Sequence, residues 1–241
     1  MNLNFLGRGS AFNTKEGNTS AYFIEDNNLF LIDCGESVFN ILQENDLLNY
    51  QYNIIITHTH SDHIGSLGTL ISKLFYTYQI KANIIVPLNK EHLTNLLNVL
   101  KAFGCNDSMY NIIIDKELDN KFKTFKSIRL IETKHVKDLI SFGILFEIND
   151  GIIYYSGDTN DLELIKNIVN NNIINKLYVD TSSINYPENV HLYIGYLKEI
   201  IPDELKSKIY CMHLDSDDCF KLIEEFGFNA VECEKVKRKT R

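Results

Sequence analysis

THTHSDHIG, residues 57–65, places three of the chain's seven histidines and one aspartate within nine positions. Alternate residues of an extended segment point the same way, so His58 and His60 project to one side. If the chain then turns into a helix, Asp62 and His63 swing round beside that pair. Neutral imidazoles and a carboxylate suit Zn²⁺, Mn²⁺ or Fe²⁺, and four donors this close can serve two adjacent ions. A polar loop that happens to be rich in histidine is the plain alternative. The flanks favour the metal: YNIII (52–56) is a β-branched run that reads as a buried strand ending at the histidines, and IGSLGTLISKLFYTYQI (64–80) resumes helical spacing.

The stretch cannot close two sites alone. Further donors stand at the ends of three apolar, strand-like runs: His135 in IETKHV, Asp158 in YYSGDT and His213 in YCMHLD. A strand end holds a ligand on rigid backbone and leaves the next loop open for substrate. Singly, each has a plain reading, as a satisfied histidine or, for Asp158, as a helix cap. Together they supply the donors that 57–65 lacks. Asp33, in LIDCGE, is a candidate to orient a metal-binding histidine, with a strand-end turn former as the alternative.

The rest of the chain supplies a scaffold. LNFLG, TSAYFIED and NLFLIDCG read as strands, and so do SIRLIETKHV, ISFGILFEIND and GIIYYSGDT, the last two joined at Asn149-Asp150-Gly151. Each set is followed by alternating helices and strands. The second set runs DLELIKNIVNNN (helix), KLYVDTS (strand), HLYIGYLKEII (helix, starting at His191), SKIYCMHLDS (strand) and DCFKLIEEFGF (helix). That order predicts an α/β protein of α+β character, two sheets packed together with helices outside. No Pro/Gly/Ser linker interrupts the chain, so a single domain is expected over 1–241. NKEHLTNLLNVLKAFG (89–104) reads as a helix with an Asn cap and a Gly stop, His92 on its surface. Two aromatic stretches, 74–80 and 105–114, offer pocket candidates, Tyr110 foremost in a polar loop after Gly104.

Bulk composition narrows the function classes. A hydrophobic content of 44% with 23% charged residues is that of a globular chain. A formal net charge of −8 disfavours general nucleic-acid binding; the tail KVKRKTR (235–241) reads as a solvated charge run. No apolar run approaches the ~18 residues of a membrane span, and MNLNFLGRGS lacks the features of a signal peptide. Five scattered cysteines read as free thiols in a reducing compartment, so a cytoplasmic protein with no membrane partner is expected.

Taken in order, HTHSDH, His135, the Gly-Asp of SGDT and His213 resemble the metallo-β-lactamase superfamily, and FLGRGSAF, NTSAYF and LIDCGE resemble its opening strands. The resemblance spans essentially the whole chain. It implies a four-layer αβ/βα sandwich with two divalent metal ions at its edge, zinc or else manganese. It further implies His58, His60 and His135 on one ion, Asp62, His63 and His213 on the other, and Asp158 bridging. Asp62 would also orient the attacking hydroxide. Asp158 stands where the β-lactamases often carry cysteine, and Thr59 where the oxygen-reducing di-iron members carry glutamate. Both point to the wider hydrolases.

His191 and the opening strands also resemble the ribonuclease Z branch, in which a histidine at this position protonates the leaving oxygen. A phosphodiester leaving group needs such a proton, and histidine titrates near neutrality. A solvent-facing helix residue is the plain alternative. The tRNA-processing members carry a long arm between the third metal motif and the Gly-Asp motif. Here only 22 residues separate His135 from Asp158. The chain therefore most resembles the arm-less cyclic-nucleotide phosphodiesterases of the anti-Pycsar type. That implies a small phosphodiester substrate, foremost a 3′,5′-cyclic nucleotide, no duplex nucleic acid, and a homodimer. A tRNA 3′-end endonuclease, a thioester or lactone hydrolase, and a non-enzymatic binding module remain alternatives.

Overall fold

The computed structural model describes residues 1–234, so the basic tail 235–241 lies outside the described residues. The first half forms a six-stranded sheet in chain order: β1 (Asn4–Gly7), β2 (Ser20–Glu25), β3 (Asn28–Ile32), β4 (Gln51–Ile55), β5 (Ala82–Val86) and β6 (Tyr110–Ile114). β1, β2 and β3 pair antiparallel, and β3 through β6 run parallel. Parallel strands need crossover connections. Those here carry α1 (Val38–Glu44), α2 (Ser61–Ile64), α3 (Leu67–Lys73) and α4 (Lys90–Ala102).

The second half repeats the plan. β7 (Ser127–Thr133), β8 (Ser141–Ile148) and β9 (Gly151–Tyr155) pair antiparallel, and β9, β10 (Ile174–Asp180), β11 (Ile209–Met212) and β12 (Asn229–Ala230) run parallel. Their helices are α5 (Leu162–Asn171), α6 (Ile194–Ile200) and α7 (Asp217–Phe226).

Strand alternation explains how two sheets and two helical layers stack. Leu29 and Leu31 join Ile54, Ile84 and the buried residues of α1, α3 and α4 in one apolar cluster. Their neighbours Phe30 and Ile32 join Ile55, Ile85, Ile144 and Tyr155 in a second, between the sheets. On the far side Tyr154, Leu177 and Val179 pack with Ile165, Leu197 and Ile223 of α5, α6 and α7. A strand buried on both faces shows no polar alternation, which is why these runs read as continuous Ile/Leu/Val. The sheet-to-sheet core is rich in aromatic pairs, such as Phe23 stacked on Phe30 at 4.6 Å. Truncating Phe30 to Ala costs about 3–5 kcal/mol. The helix–sheet–sheet–helix order is the expected sandwich. Among the described residues, no helix is long and apolar enough to cross a membrane.

Two expectations fail. His92 is not on the surface: it is buried with Leu96 and Leu100, an i, i+4, i+8 stripe, and its ring lies edge-on to Phe142 at 4.8 Å. Tyr110 is not in a loop: it opens β6 and packs into the core beneath α4, which removes it from any pocket.

Parallel register brings the C-terminal ends of β3 and β4 together, Ile32 opposite Ile55. It does the same for β9, β10 and β11, with Tyr155 opposite Tyr178 and Asp180 opposite Met212. β7, antiparallel to β8, ends on the same edge. Asp33, His58, His135, Asp158, Asp180 and His213 all follow or close these strands.

Candidate metal centre

The seven predicted donors converge at that edge in two groups sharing Asp158. In the first, His58 Nε2 lies 3.0 Å from His60 Nδ1, and His135 Nε2 lies 3.3 Å from the same nitrogen. Asp158 Oδ2 is 3.8 Å from the Nε2 atoms of both His58 and His135. In the second, Asp62 Oδ2 and Asp158 Oδ2 each stand 3.3 Å from Nε2 of His63 and Nε2 of His213. One oxygen of Asp158 thus serves both groups.

These distances fit two divalent cations. Atoms bound at ~2.1 Å to one tetrahedral ion stand roughly 3.4 Å apart, near the spacing seen in both groups. His63 Nε2 is buried and makes no hydrogen bond although two carboxylates flank it. That is the arrangement of ligands converging on a shared cation rather than on one another.

The backs of the rings fix which nitrogen faces inward. His63 Nδ1–H donates to Asp33 Oδ2 at 2.8 Å. Thr57 holds that carboxylate through its backbone N–H and its hydroxyl, both at 2.8 Å. Asp33 therefore stands where it would orient His63. His58 Nδ1 rests on Thr57 Oγ1 at 3.0 Å, and His135 Nδ1 donates to the Val190 carbonyl at 3.2 Å. Each contact leaves Nε2 to the centre.

Charge is consistent with cation binding. Burial, the leading cause, pushes His58, His60 and His135 below the ordinary imidazole value, so they are neutral, the ligand form. Burial works against charge on Asp62, Asp158 and Asp180 too. Neighbouring histidines outweigh it and hold all three below the usual carboxylate range. Burial likewise opposes charge on His213, but Asp158 and Asp180 carry it up to about 10. The carboxylates collect positive charge.

His191 sits beside the cluster, in the segment before α6 rather than on the helix, which starts at Ile194. Its Nδ1–H donates to Asp180 Oδ2 at 2.7 Å. Its ring lies 4.8 Å from that of His213 and 5.2 Å from that of His135, about a quarter exposed. Asp180, missed in the sequence, is buried and double-sided: Oδ2 holds His191 and accepts from Thr159 N–H at 2.9 Å, while Oδ1 faces His213 Nδ1 at 3.4 Å. Its signal was present. KLYVD ends an apolar strand in aspartate just as NLFLID does. Asp158 does not cap the following helix; Asp161 does, accepting from Leu164 N–H.

Residues 1–231 match the family described as Anti-Pycsar protein Apyc1. The Anti-Pycsar protein Apyc1 of Bacillus phage BSP38 is 30% identical over 235 residues, which cover 88% of each chain. That of Paenibacillus harenae is 27% identical over 225 residues, 88% of this chain and 89% of its own. The metallo-β-lactamase fold protein YhfI from Bacillus subtilis superposes with a TM-score of 0.72 at 14% identity, over 97% of this chain and 96% of that one. The chain thus belongs to the Anti-Pycsar protein Apyc1 family and is a metal-dependent hydrolase on the metallo-β-lactamase fold.

Proposed function

We propose that this chain is a dinuclear phosphodiesterase that opens a 3′,5′-cyclic nucleotide, with His191 as the leaving-group acid. The observation that carries it is the His191–Asp180 pair set against the seven-donor cluster. His58, His60 and His135 would hold one cation and Asp62, His63 and His213 the other, with Asp158 belonging to both donor groups. Two divalent cations bound there, zinc first and manganese second, would supply an activated water and offset charge on a phosphoryl oxygen. Asp62 orients the nucleophile for attack on phosphorus. As the ester P–O bond breaks, His191 Nε2–H gives its proton to the departing ribose oxygen. The Asp180 carboxylate stabilises the imidazolium before transfer, so His191 lies above its ordinary value although burial opposes it.

The connection from His135 to Asp158 supports a small substrate: it is the β8–β9 hairpin, turned at Asn149-Asp150, with no arm. The formal charge of −8 supports a nucleotide over duplex nucleic acid. The same reading takes the chain as one domain, cytoplasmic and homodimeric.

A panel tests it. Zinc- or manganese-loaded protein is offered cyclic mononucleotides, bis-p-nitrophenyl phosphate, precursor tRNA and acyl lactones. Turnover of cyclic mononucleotides is expected; turnover confined to tRNA or lactones refutes the proposal. His191→Ala should lose about 10²–10⁴-fold. Full cyclic-nucleotide activity in that variant, with metals retained, removes His191 from the mechanism.

A further inference from the structure

A cavity of about 570 Å³ lies between the segment 185–189 and the start of α6. It adjoins the donor cluster through His191, which forms part of its wall; Asn160, two residues beyond Asp158 in the chain, forms another part. That volume is enough for a small organic ligand. Among the described residues its wall holds no lysine or arginine, and one acid, Glu188. An anionic phosphate is therefore a poor occupant, and a neutral planar group a good one.

Tyrosines dominate the remaining wall. Tyr186 and Tyr196 are 49% and 41% exposed, high for rings of this size. Tyr193 and Tyr196 meet edge-on at 5.4 Å, and the Tyr196 hydroxyl is fixed by the Asn185 side chain at 3.0 Å. A Cβ on Gly195 would collide with the Tyr193 ring, so glycine there lets the ring lie against the helix. Asn189 ties this wall to the acid: its amide donates to Ser182 Oγ and Ile184 O, and its Oδ1 accepts from His191 N–H at 3.0 Å.

We infer that this cavity receives the nucleobase of the substrate, stacked on Tyr186 and bounded by Tyr193. The inference rests on the phosphodiesterase reading above. In a 3′,5′-cyclic nucleotide the oxygen that leaves phosphorus stays on the ribose that bears the base. A proton delivered by His191 is therefore delivered within one sugar of the base, and the space walled by His191 is where the base lies. Base faces stack on aromatic side chains whatever their hydrogen-bonding edge, and the Asn185 and Asn189 side chains are already hydrogen-bonded, Asn185 to Tyr196 and Asn189 to Ser182, Ile184 and His191.

The test compares two substrates of the metal-loaded protein: a purine 3′,5′-cyclic nucleotide, and the base-less 3′,5′-cyclic phosphate of 1-deoxyribose. Tyr186→Ala should raise KM for the nucleotide by roughly five- to fiftyfold, with kcat changed by less than about threefold. The ratio of kcat/KM between the two substrates should fall by the same factor, and Tyr186→Phe should restore it. Gly195→Ala, which displaces Tyr193, should lower the ratio as well. An equal loss on both substrates, or an unchanged KM, overturns the inference. So does a Tyr186→Ala variant whose only change is its oligomeric mass by sedimentation, which would make the surface a subunit contact. Wild-type protein inactive on both substrates refutes the parent reading and this inference with it; wild-type activity with an unaltered ratio in the variants refutes this inference alone.

Discussion

Replacing Asp180 with Asn separates the two jobs assigned to the centre. The Asp180 carboxylate is fully buried and accepts the Nδ1–H of His191 at 2.7 Å. A hydrogen bond to a charged group of this kind contributes about 1.5–3 kcal/mol, or roughly 10–150-fold at about 1.4 kcal/mol per decade. Asparagine keeps the volume and can still accept from Thr159 N–H, but it cannot stabilise an imidazolium. The loss of acid catalysis should therefore be about 100-fold in kcat/KM on a cyclic nucleotide. A smaller effect passes through His213, whose Nδ1 faces Oδ1 at 3.4 Å; loss of that orientation should weaken metal binding by about tenfold. The assay pairs the cyclic nucleotide with bis-p-nitrophenyl phosphate, whose nitrophenolate departs without a proton. With metals saturating, the activated ester should lose less than about tenfold. Equal losses on both substrates would show that Asp180 acts only through the metals, and no loss on either would remove it from the mechanism.

Other perturbations follow from the same geometry. Burial lowers His92 to about 4 from its ordinary 6.5. The stability its neutral form contributes is complete above pH 6.5 and is lost as pH falls toward 4, about 3 kcal/mol by pH 4. His92→Leu should flatten the decline in melting temperature over that range; parallel wild-type and variant curves would refute this. A Cβ on Gly35 would collide with the carbonyl oxygen of Asp62, so Gly35→Ala should shift α2, cost more than about 3 kcal/mol and empty the second metal site, and a soluble variant with full metal content would be decisive against it. Zinc added to stripped protein at about 100 times its Kd should stabilise by about 2.7 kcal/mol. That is a rise of roughly 5–10 °C in Tm for a chain of this size, and an unchanged Tm would argue that the donor cluster binds no metal.

The legible parts of the fold were those where a single period dominates. NLFLID and KLYVD announced themselves because strands buried on both faces have no polar positions to confuse them. The segment Tyr110–Ile114 did not, because β6 is the edge of its sheet, partly exposed, and preceded by the polar CNDSM. Residue type alone puts His92 at the surface, but the helical period puts it inside: 92, 96 and 100 lie on one helical stripe, and the imidazole is buried with it. The donors of 57–65 and their three strand-end partners were legible as chemistry. Asp180 carries the same strand-end signal as Asp33, but that signal acquires its meaning only when the histidines behind which it sits are placed. The aromatic wall beside His191 was hidden for the same reason: Tyr186 and Tyr193 stand in an irregular segment whose position no local pattern fixes.

At Asp33 and His213 a backbone rule and a burial rule fail together. Asp33 and His213, neither of them glycine, have φ of +60° and +56°, a region that costs a non-glycine residue about 1 kcal/mol or more. Gly157, beside Asp158, shares it at +60°. Each stands just past the end of a strand, where the left-handed turn aims the chain back over the sheet edge. Asp33 is also a buried carboxylate, a second cost. What offsets both is local: Asp33 accepts from Thr57 N–H, Thr57 Oγ1–H and His63 Nδ1–H. Those bonds hold His63 toward the second metal group and leave Thr57 Oγ1 to receive His58 toward the first. Strain, buried charge and ligand orientation are one arrangement, and it lies where sheet geometry alone gives no reason for any of them. That coincidence favours a built donor cluster, one that could hold metal, over a histidine-rich loop, and it stands independently of any resemblance to other proteins.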